Sequence, residues 1–357
     1  MNLNKLGFTD FFENQYQQMQ IKNENWLIGR VTLEHKHSYR VMTKVGELLA
    51  TVSGSYAYHS TGREGFPAVG DFVLVEQMQG ESRGIIHHLF DRKSKFTRKV
   101  AGREMEEQIV AANVDLVFLV MSLNADFNVR RIERYLLAAW DSGAMPVVVL
   151  TKADLCENTT RYVREVEKVA IGVNVVAVSA VTGEGIDQLK GLFNNGVTGA
   201  LLGSSGAGKS TIVNILSGKE QMRVSDIRED DGKGRHTTTH RELVMLPNGG
   251  CLIDTPGMRE LQLWDQGNSL NESFSDINEL SAQCHFRDCQ HKGEAGCAVQ
   301  QAIECGELEN ARFKSYLKLQ KELAYIEVKS NKDALLVEKQ KWKQLSKSIK
   351  VNKKMKS

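Results

Sequence analysis

From Trp26 to about Lys99 apolar and polar positions alternate in five short runs: LIGRVTLE, SYRVMTKV, ELLATVSG, GDFVLVEQM and RGIIHHLF. Gly, Ser and Pro67 break them apart. A period of two between turn residues predicts strands, and five of them over this length predict a small β-barrel, with the OB-fold the natural candidate. Ahead of them, residues 1–25 read as a short helical extension rich in Gln and Phe, with no legible role.

The texture changes at Ile109. VDLVFLVMS is a continuous apolar run, as expected of a strand buried on both faces, and VRRIERYLLAAWDSG follows at helical spacing with a Gly stop. MPVVVLTKADL, VNVVAVSAVTGEG and VTGALLG repeat the pattern, each a strand leading into a loop. TRYVREVEKVA, IDQLKGLF and STIVNILSG are the intervening helices. This alternation predicts a mostly parallel sheet covered on both sides. RELVMLPNGGCLIDTPG departs from it: two strands around PNGG predict a hairpin and one antiparallel member.

The expected organisation is an extension (1–25), an OB-fold RNA-binding domain (26–99), an α/β domain (100–272) and a C-terminal domain with a Cys/His cluster and basic helices (273–357). The first residues lack an apolar signal core and no apolar run approaches a membrane span, so a cytoplasmic protein without membrane contact is expected. Six cysteines then point to metal before disulfide. Net charge is only +2, yet ten lysines between Lys329 and Ser357 face only Asp333 and Glu338. That tail reads either as a solvated helix or as an electrostatic footprint for RNA. The stretch RKSKFTRK likewise reads two ways. Phe96 among Arg92, Lys93, Lys95, Arg98 and Lys99 suits stacking on looped RNA, or it is a linker with one core Phe.

The chemistry concentrates at strand ends. Gly203, Ser204, Ser205, Gly206, Ala207, Gly208, Lys209, Ser210 and Thr211 form a G-x-x-x-x-G-K-[ST] phosphate cradle between a strand and a helix. Its backbone N–H groups face phosphates, Lys209 reaches the β- and γ-phosphates, and Ser210 ligates Mg²⁺. Asp254 ends an apolar strand, where it can hold the Mg²⁺ shell through water, and the Gly257 amide can meet a γ-phosphate. Between them, IREDDGKGRHTTTHRE reads as a switch whose Thr237 or Thr238 completes the Mg²⁺ shell. Thr151, Lys152, Ala153 and Asp154 supply a base-reading loop, in which Asp154 accepts from guanine N1 and N2 and the Lys152 stem lies over the base. Ser179 and Ala180 open a second loop that supports the base. Asp154 favours a GTP/GDP site over an ATP site. A regular GTPase runs from cradle to switch to DxxG to base loops. Here the base loops come first, so the same parts stand in circularly permuted order.

Cys284, Cys289, His291 and Cys297 offer three thiolates and an imidazole, a closed set suited to one structural Zn²⁺. His285 and Cys305 are left over, and Cys156 and Cys251 read as core residues.

PAVGDFV, QIVAANVDLVFLV, TKADL, GSSGAGKST, GRHTTTHREL, DTPGMRE and the cysteine cluster together resemble the RsgA (YjeQ) family, bacterial circularly permuted GTPases of small ribosomal subunit biogenesis. The resemblance spans nearly the whole chain. It implies GTP hydrolysis stimulated by the immature 30S subunit, contact with 16S rRNA, coupling of hydrolysis to late maturation and release, and a monomer. The runner-up is a GTP-gated RNA-binding protein with a non-ribosomal partner. Two departures matter. Thr151 replaces the usual Asn of the base loop, which predicts weaker base affinity. Met258 stands where Ras-like enzymes carry a water-orienting Gln, and the resemblance points to His236 as the catalytic replacement.

Overall fold

Aromatic side chains decide where the N-terminal segment goes. Helix α1 (Asp10–Gln18) turns Phe12 inward, where it is fully buried beside Phe72 and Phe90, with ring centroids 4.5 and 6.3 Å away. Phe8 meets the same two rings edge-on. Burying a Phe contributes ~1.5–3 kcal/mol, so the segment is part of the barrel's core and not an appendage. This computed structural model describes residues 2–19, 23, 25–36, 38–60, 62–99, 107–194, 196–218, 241–247, 249–254, 269–326 and 328. The chain divides into two compact units, Met1–Arg98 with Gln108–Gln262, and Lys99–Glu107 with Leu263–Ser357.

Strands β1 (Trp26–His35), β2 (Ser38–Thr43) and β3 (Gly46–Val52) form a meander. Helix α2 (Gly54–His59) follows, then β4 (Phe72–Gln77) and β5 (Arg83–Leu89). β3 pairs parallel with β5, β5 antiparallel with β4, and β4 returns to β1, which closes the five-stranded barrel. Val31, Val41, Leu48, Val73, Val75 and Ile86 fill it.

β6 (Lys95–Lys99) and β7 (Glu107–Ala112) make a two-stranded sheet. Here the stacking reading of RKSKFTRK fails. Phe96 is 2% exposed and belongs to the α/β core, so its faces are not available to bases. Arg92 pairs with the buried Asp71 (2.6 Å) and Lys93 pairs with Asp115. Two of the basic residues therefore tie the barrel down. The side chains of Arg98 and Lys99 lie outside the described residues.

The α/β layer runs β8 (Leu116–Ser122), α3 (Val129–Ser142), β9 (Met145–Thr151), α4 (Thr159–Glu167), β10 (Asn174–Ala177), α5 (Ile186–Gly191), β11 (Thr198–Gly203), α6 (Lys209–Ser217), β12 (Glu242–Met245) and β13 (Cys251–Asp254). The spatial order is β10-β9-β8-β11-β13-β12, parallel except for β12. The expected hairpin closes through Leu246 and Gly250. β12 also meets barrel strand β1 at Leu33–Glu242, so barrel and layer share one hydrogen-bonded sheet.

A buried arginine joins them a second time. Arg30 in β1 is fully buried. Its Nε donates to Gly70 O (3.0 Å), one terminal nitrogen donates to Leu6 O and to Thr198 Oγ1 (2.7 Å), and the other donates to Asn113 O (3.0 Å). Extension, barrel, the segment after β7 and the cradle strand β11 thus meet on one side chain. Burial lowers its pKa, and the fields of Cys251, Asp115 and Asp71 oppose that shift.

The second unit contains α7 (Ser269–Ser273), α8 (Ser275–Ser281), a Cys/His loop, α9 (Ala298–Glu304) and α10 (310–326). Arg312 lies 4.7 Å over the Phe274 ring and grips Asp276 through two bonds of 2.6 and 2.8 Å.

Candidate functional site

β11 is buried along its whole length and delivers the cradle to the carboxyl edge of the sheet, where ligands bind in such folds. The loop's glycines are dictated by space and dihedral. A Cβ on Gly203 would lie 2.3 Å from Val120 O, and Gly208 has φ +89° at the start of α6. Lys209 Nζ donates to Gly203 O (2.7 Å) and Ser204 O (2.5 Å), lying across the loop. Ser205 and Gly206 are exposed at the mouth, Ala207 is buried, and Ser210 and Thr211 start the helix half-buried.

The base loop sits on the same edge, two strands away. Thr151 ends β9 and is buried, and its Oγ1 donates to Ala207 O (2.7 Å). The hydroxyl standing where Asn is usual therefore fastens the base loop to the cradle. Lys152 takes a left-handed turn (φ 59°) at the strand end and is half-buried. Ala153 is buried, with its amide on Val178 O (3.2 Å). Exposed Asp154 accepts from Ser179 Oγ on Oδ1 (2.6 Å). The Ser179 hydroxyl in turn accepts from the amides of Val181 and Thr182 (3.2 and 3.1 Å), so the loop opened by Ser179 and Ala180 fixes the carboxylate. Cradle, Thr151–Asp154 and Ser179–Ala180 are thus brought together. The backbone of Asp254 ends β13 beside β11. The Asp254 side chain, His236, Thr237, Thr238, Gly257 and Met258 lie outside the described residues, as does the lysine-rich tail from Lys329.

The loop after β8 joins this edge without any motif to mark it in the sequence. Asp126 accepts from Ser204 Oγ (2.8 Å) and from both terminal nitrogens of Arg131 (2.7 and 3.0 Å). The available signal was positional: SLNADFN is a polar loop following a strand buried on both faces, as the base loop is.

In the second unit the ligand atoms of Cys284, Cys289, His291 and Cys297 lie within 4.8 Å of one another, with His285 and Cys305 outside the set. His291 Nδ1 is 3.7 Å from Cys284 Sγ and 3.4 Å from Cys297 Sγ, and the two sulfurs are 4.0 Å apart. A tetrahedron with Zn–S ~2.3 Å and Zn–N ~2.0 Å has edges of about 3.5–3.8 Å, so the set fits zinc. His291 Nε2 lies 3.2 Å from Ser281 Oγ, which itself donates to Ile277 O (2.7 Å), and this orients the ring with Nδ1 inward. Cys156 packs against the α/β core and Cys251 is buried in β13, as the sequence suggests.

An RsgA GTPase model matches residues 89–264, and a 50S ribosome-binding GTPase model matches residues 198–340. The chain is 43% identical over 356 residues to a small ribosomal subunit biogenesis GTPase RsgA 1 of Oceanobacillus iheyensis, covering 99% of this chain and 100% of the relative. It is 45% identical over 325 residues to an RsgA 2 of Lactiplantibacillus plantarum, covering 91% and 90%.

The chain belongs to the RsgA GTPase family.

The fold agrees. The crystal structure of YjeQ from Thermotoga maritima superposes with a TM-score of 0.63 at 29% identity, covering 84% of this chain and 99% of that one. YloQ, described as a circularly permuted GTPase, superposes with a TM-score of 0.62 at 23% identity, covering 86% and 98%. The RsgA assignment explains why the base loops precede the cradle in the chain yet stand beside it in space. Among the described residues no helix is long and apolar enough to cross a membrane.

Proposed function

We propose that this RsgA-family GTPase binds the immature 30S ribosomal subunit and couples GTP hydrolysis to late maturation of the subunit and to its own release. The observation that carries the reading is the convergence of a Ser179-braced Asp154 and a glycine-defined phosphate cradle on one sheet edge, joined by Thr151. The names of the relatives supply the ribosomal partner. The phosphates would rest on residues Gly203 to Thr211, and guanine on Asp154 beneath the Lys152 stem. Mg²⁺, held through Ser210 and Thr238 with Asp254 behind its waters, would neutralise charge on the β- and γ-oxygens. Lys209 would reach the β- and γ-phosphates from its place on the Gly203 and Ser204 carbonyls, and His236 would position or deprotonate the attacking water. The second unit would hold one structural Zn²⁺, and the barrel and lysine-rich tail would meet 16S rRNA. The protein would act as a cytoplasmic monomer.

The test is GTP turnover with and without purified 30S subunits. Strong activation is expected. Turnover unchanged by 30S, with another RNA activating instead, would transfer the reading to a GTP-gated RNA-binding protein.

Asp154→Asn is expected to weaken GTP binding and admit xanthine nucleotides. Asn offers one acceptor and a competing donor where guanine presents two N–H groups, and a charge-assisted pair contributes roughly 1.5–3 kcal/mol. Competition of labelled GTP by XTP and ITP reads this out. Wild-type affinity with XTP still excluded would remove Asp154 from base recognition.

Cys289→Ser is expected to lose zinc and destabilise the second unit, because structural zinc supplies folding energy locally. Zinc content and limited proteolysis check this, together with a GDP-binding assay that should change little. Stoichiometric zinc in the variant contradicts the ligand assignment.

A further inference from the structure

The loop between β8 and α3 holds one carboxylate against the cradle, outside the set of residues assigned to nucleotide and Mg²⁺. Asp126 is fixed from both sides. Asn124 Oδ1 accepts from the Asp126 amide (3.0 Å) and from Ser122 Oγ (2.9 Å), and Asn128 caps α3 by accepting from the Arg131 amide (3.2 Å). Phe127 packs edge-on against Tyr162, with ring centroids 4.8 Å apart. So held, Asp126 meets the cradle at Ser204, through the hydroxyl (2.8 Å).

Ser204 is bound twice: its side chain to Asp126, and its carbonyl to Lys209 Nζ (2.5 Å). The lysine of such a cradle serves the β- and γ-phosphates. The Lys209 ammonium carries three donors, so it can take up phosphate oxygens beside its carbonyl partner, while the Asp126 hydrogen bond gives Ser204 a side-chain hold that is independent of the lysine. Lys209 Nζ rests on Ser204 O and the lysine of such a cradle reaches the β- and γ-phosphates, so Ser204 lies on the outer-phosphate side of the cradle. A bare carboxylate there would repel a triphosphate. The Arg131 guanidinium, bonded to both Asp126 oxygens, offsets that charge. The same guanidinium, followed by the Ser204 hydroxyl, holds the Asp126 carboxyl below the usual carboxylate range despite partial burial.

We propose that Asp126 is a positioning residue of the phosphate cradle: neutralised by Arg131, it holds the Ser204 hydroxyl and so fixes the outer-phosphate side of the loop, which sets how well the protein distinguishes GTP from GDP. This rests on the reading of the site as a GTP site.

The experiment measures dissociation constants of fluorescent GTP and GDP analogues for the full-length protein and its variants. Asp126→Ala and Ser204→Ala are each expected to weaken GTP about 5- to 20-fold while GDP moves less than about twofold. The double variant should be no weaker than either single one, since both remove the same bond. Arg131→Ala should weaken GTP by leaving an uncompensated carboxylate, and adding Asp126→Asn should restore most of that loss, a rescue that a merely structural role does not produce. Equal loss of GTP and GDP, additive effects of the Ala pair, or no rescue overturns the proposal. If an Ala variant fails to fold, judged by circular dichroism, the Arg131→Ala and Asp126→Asn/Arg131→Ala comparison decides alone. Failure of the wild-type protein to bind GTP would instead overturn the reading of the site.

Discussion

Replacing Arg30 with methionine is expected to cost about 3–5 kcal/mol of stability, because several buried acceptors lose a charged donor together. Methionine matches much of the side chain's length, so the loss reports hydrogen bonds more than volume. Leu6 O, Asn113 O and Thr198 Oγ1 lose a donor at once, Gly70 O loses one and keeps the Asn113 side-chain amide (3.2 Å), and each unsatisfied buried polar group costs ~1–3 kcal/mol. Partial relaxation and water entry keep the total below the simple sum. Against a usual stability of ~5–15 kcal/mol this is a large fraction. Because the four partners lie in the extension, the barrel, the segment after β7 and strand β11, barrel and α/β layer should cease to unfold together. Urea unfolding followed by Trp26 fluorescence, with Trp140, Trp264 and Trp342 replaced by phenylalanine, for the barrel and by bound-nucleotide release for the cradle should show coincident midpoints with Arg30 present and separated ones in the variant. A loss under about 1 kcal/mol with coincident midpoints would mean the network is dispensable.

His236→Ala is expected to lower 30S-stimulated hydrolysis about 10²–10⁴-fold, the usual contribution of a positioned acid–base group, while GTP binding and 30S binding persist. The expectation rests on the family resemblance and on Met258, whose side chain cannot orient water. An imidazole titrates near neutrality and suits either water positioning or proton abstraction. The decisive measurement is single-turnover hydrolysis at saturating 30S. A rate within about twofold of wild type, ~0.4 kcal/mol in barrier, would move the role to a ribosomal group or another residue. A pH profile of the same step separates the two roles. If His236 is the base, the rate of the wild type falls as pH drops through the imidazole pKa, because the protonated ring cannot accept a proton.

The sequence by itself determined the elements and the parts of the site that are local. Period two in LIGRVTLE and its four successors marked the barrel strands. Continuous apolar runs marked the parallel layer, and PNGG marked its hairpin. Strand-end position placed Asp154, Ser179 and the cradle on one edge before any contact was known, because a parallel layer puts the carboxyl ends of its strands on one side. The spacing from Cys284 to Cys297 sufficed to pick out four side chains that the fold gathers within one short segment, a set able to hold a metal ion.

Only the tertiary structure decided the rest, and in each case the deciding partner is far away in sequence. Arg30 reads as an ordinary charge in a strand, yet it bonds to Thr198, 168 residues on. Phe96 sits among lysines and arginines but is buried by the α/β core. Those neighbours include Arg92, which pairs with an aspartate 21 residues back. Residues 1–25 carried no legible role because their partners, Phe72 and Phe90, belong to the barrel. Thr151 read as a weakened Asn until its hydroxyl was found on Ala207 O, 56 residues away, and Asp126 gains its place from Ser204, 78 residues on. Periodicity reports which face of an element is buried. It does not report what that face is buried against, and a polar group in a dry interior is settled by which acceptors the folded chain brings within reach.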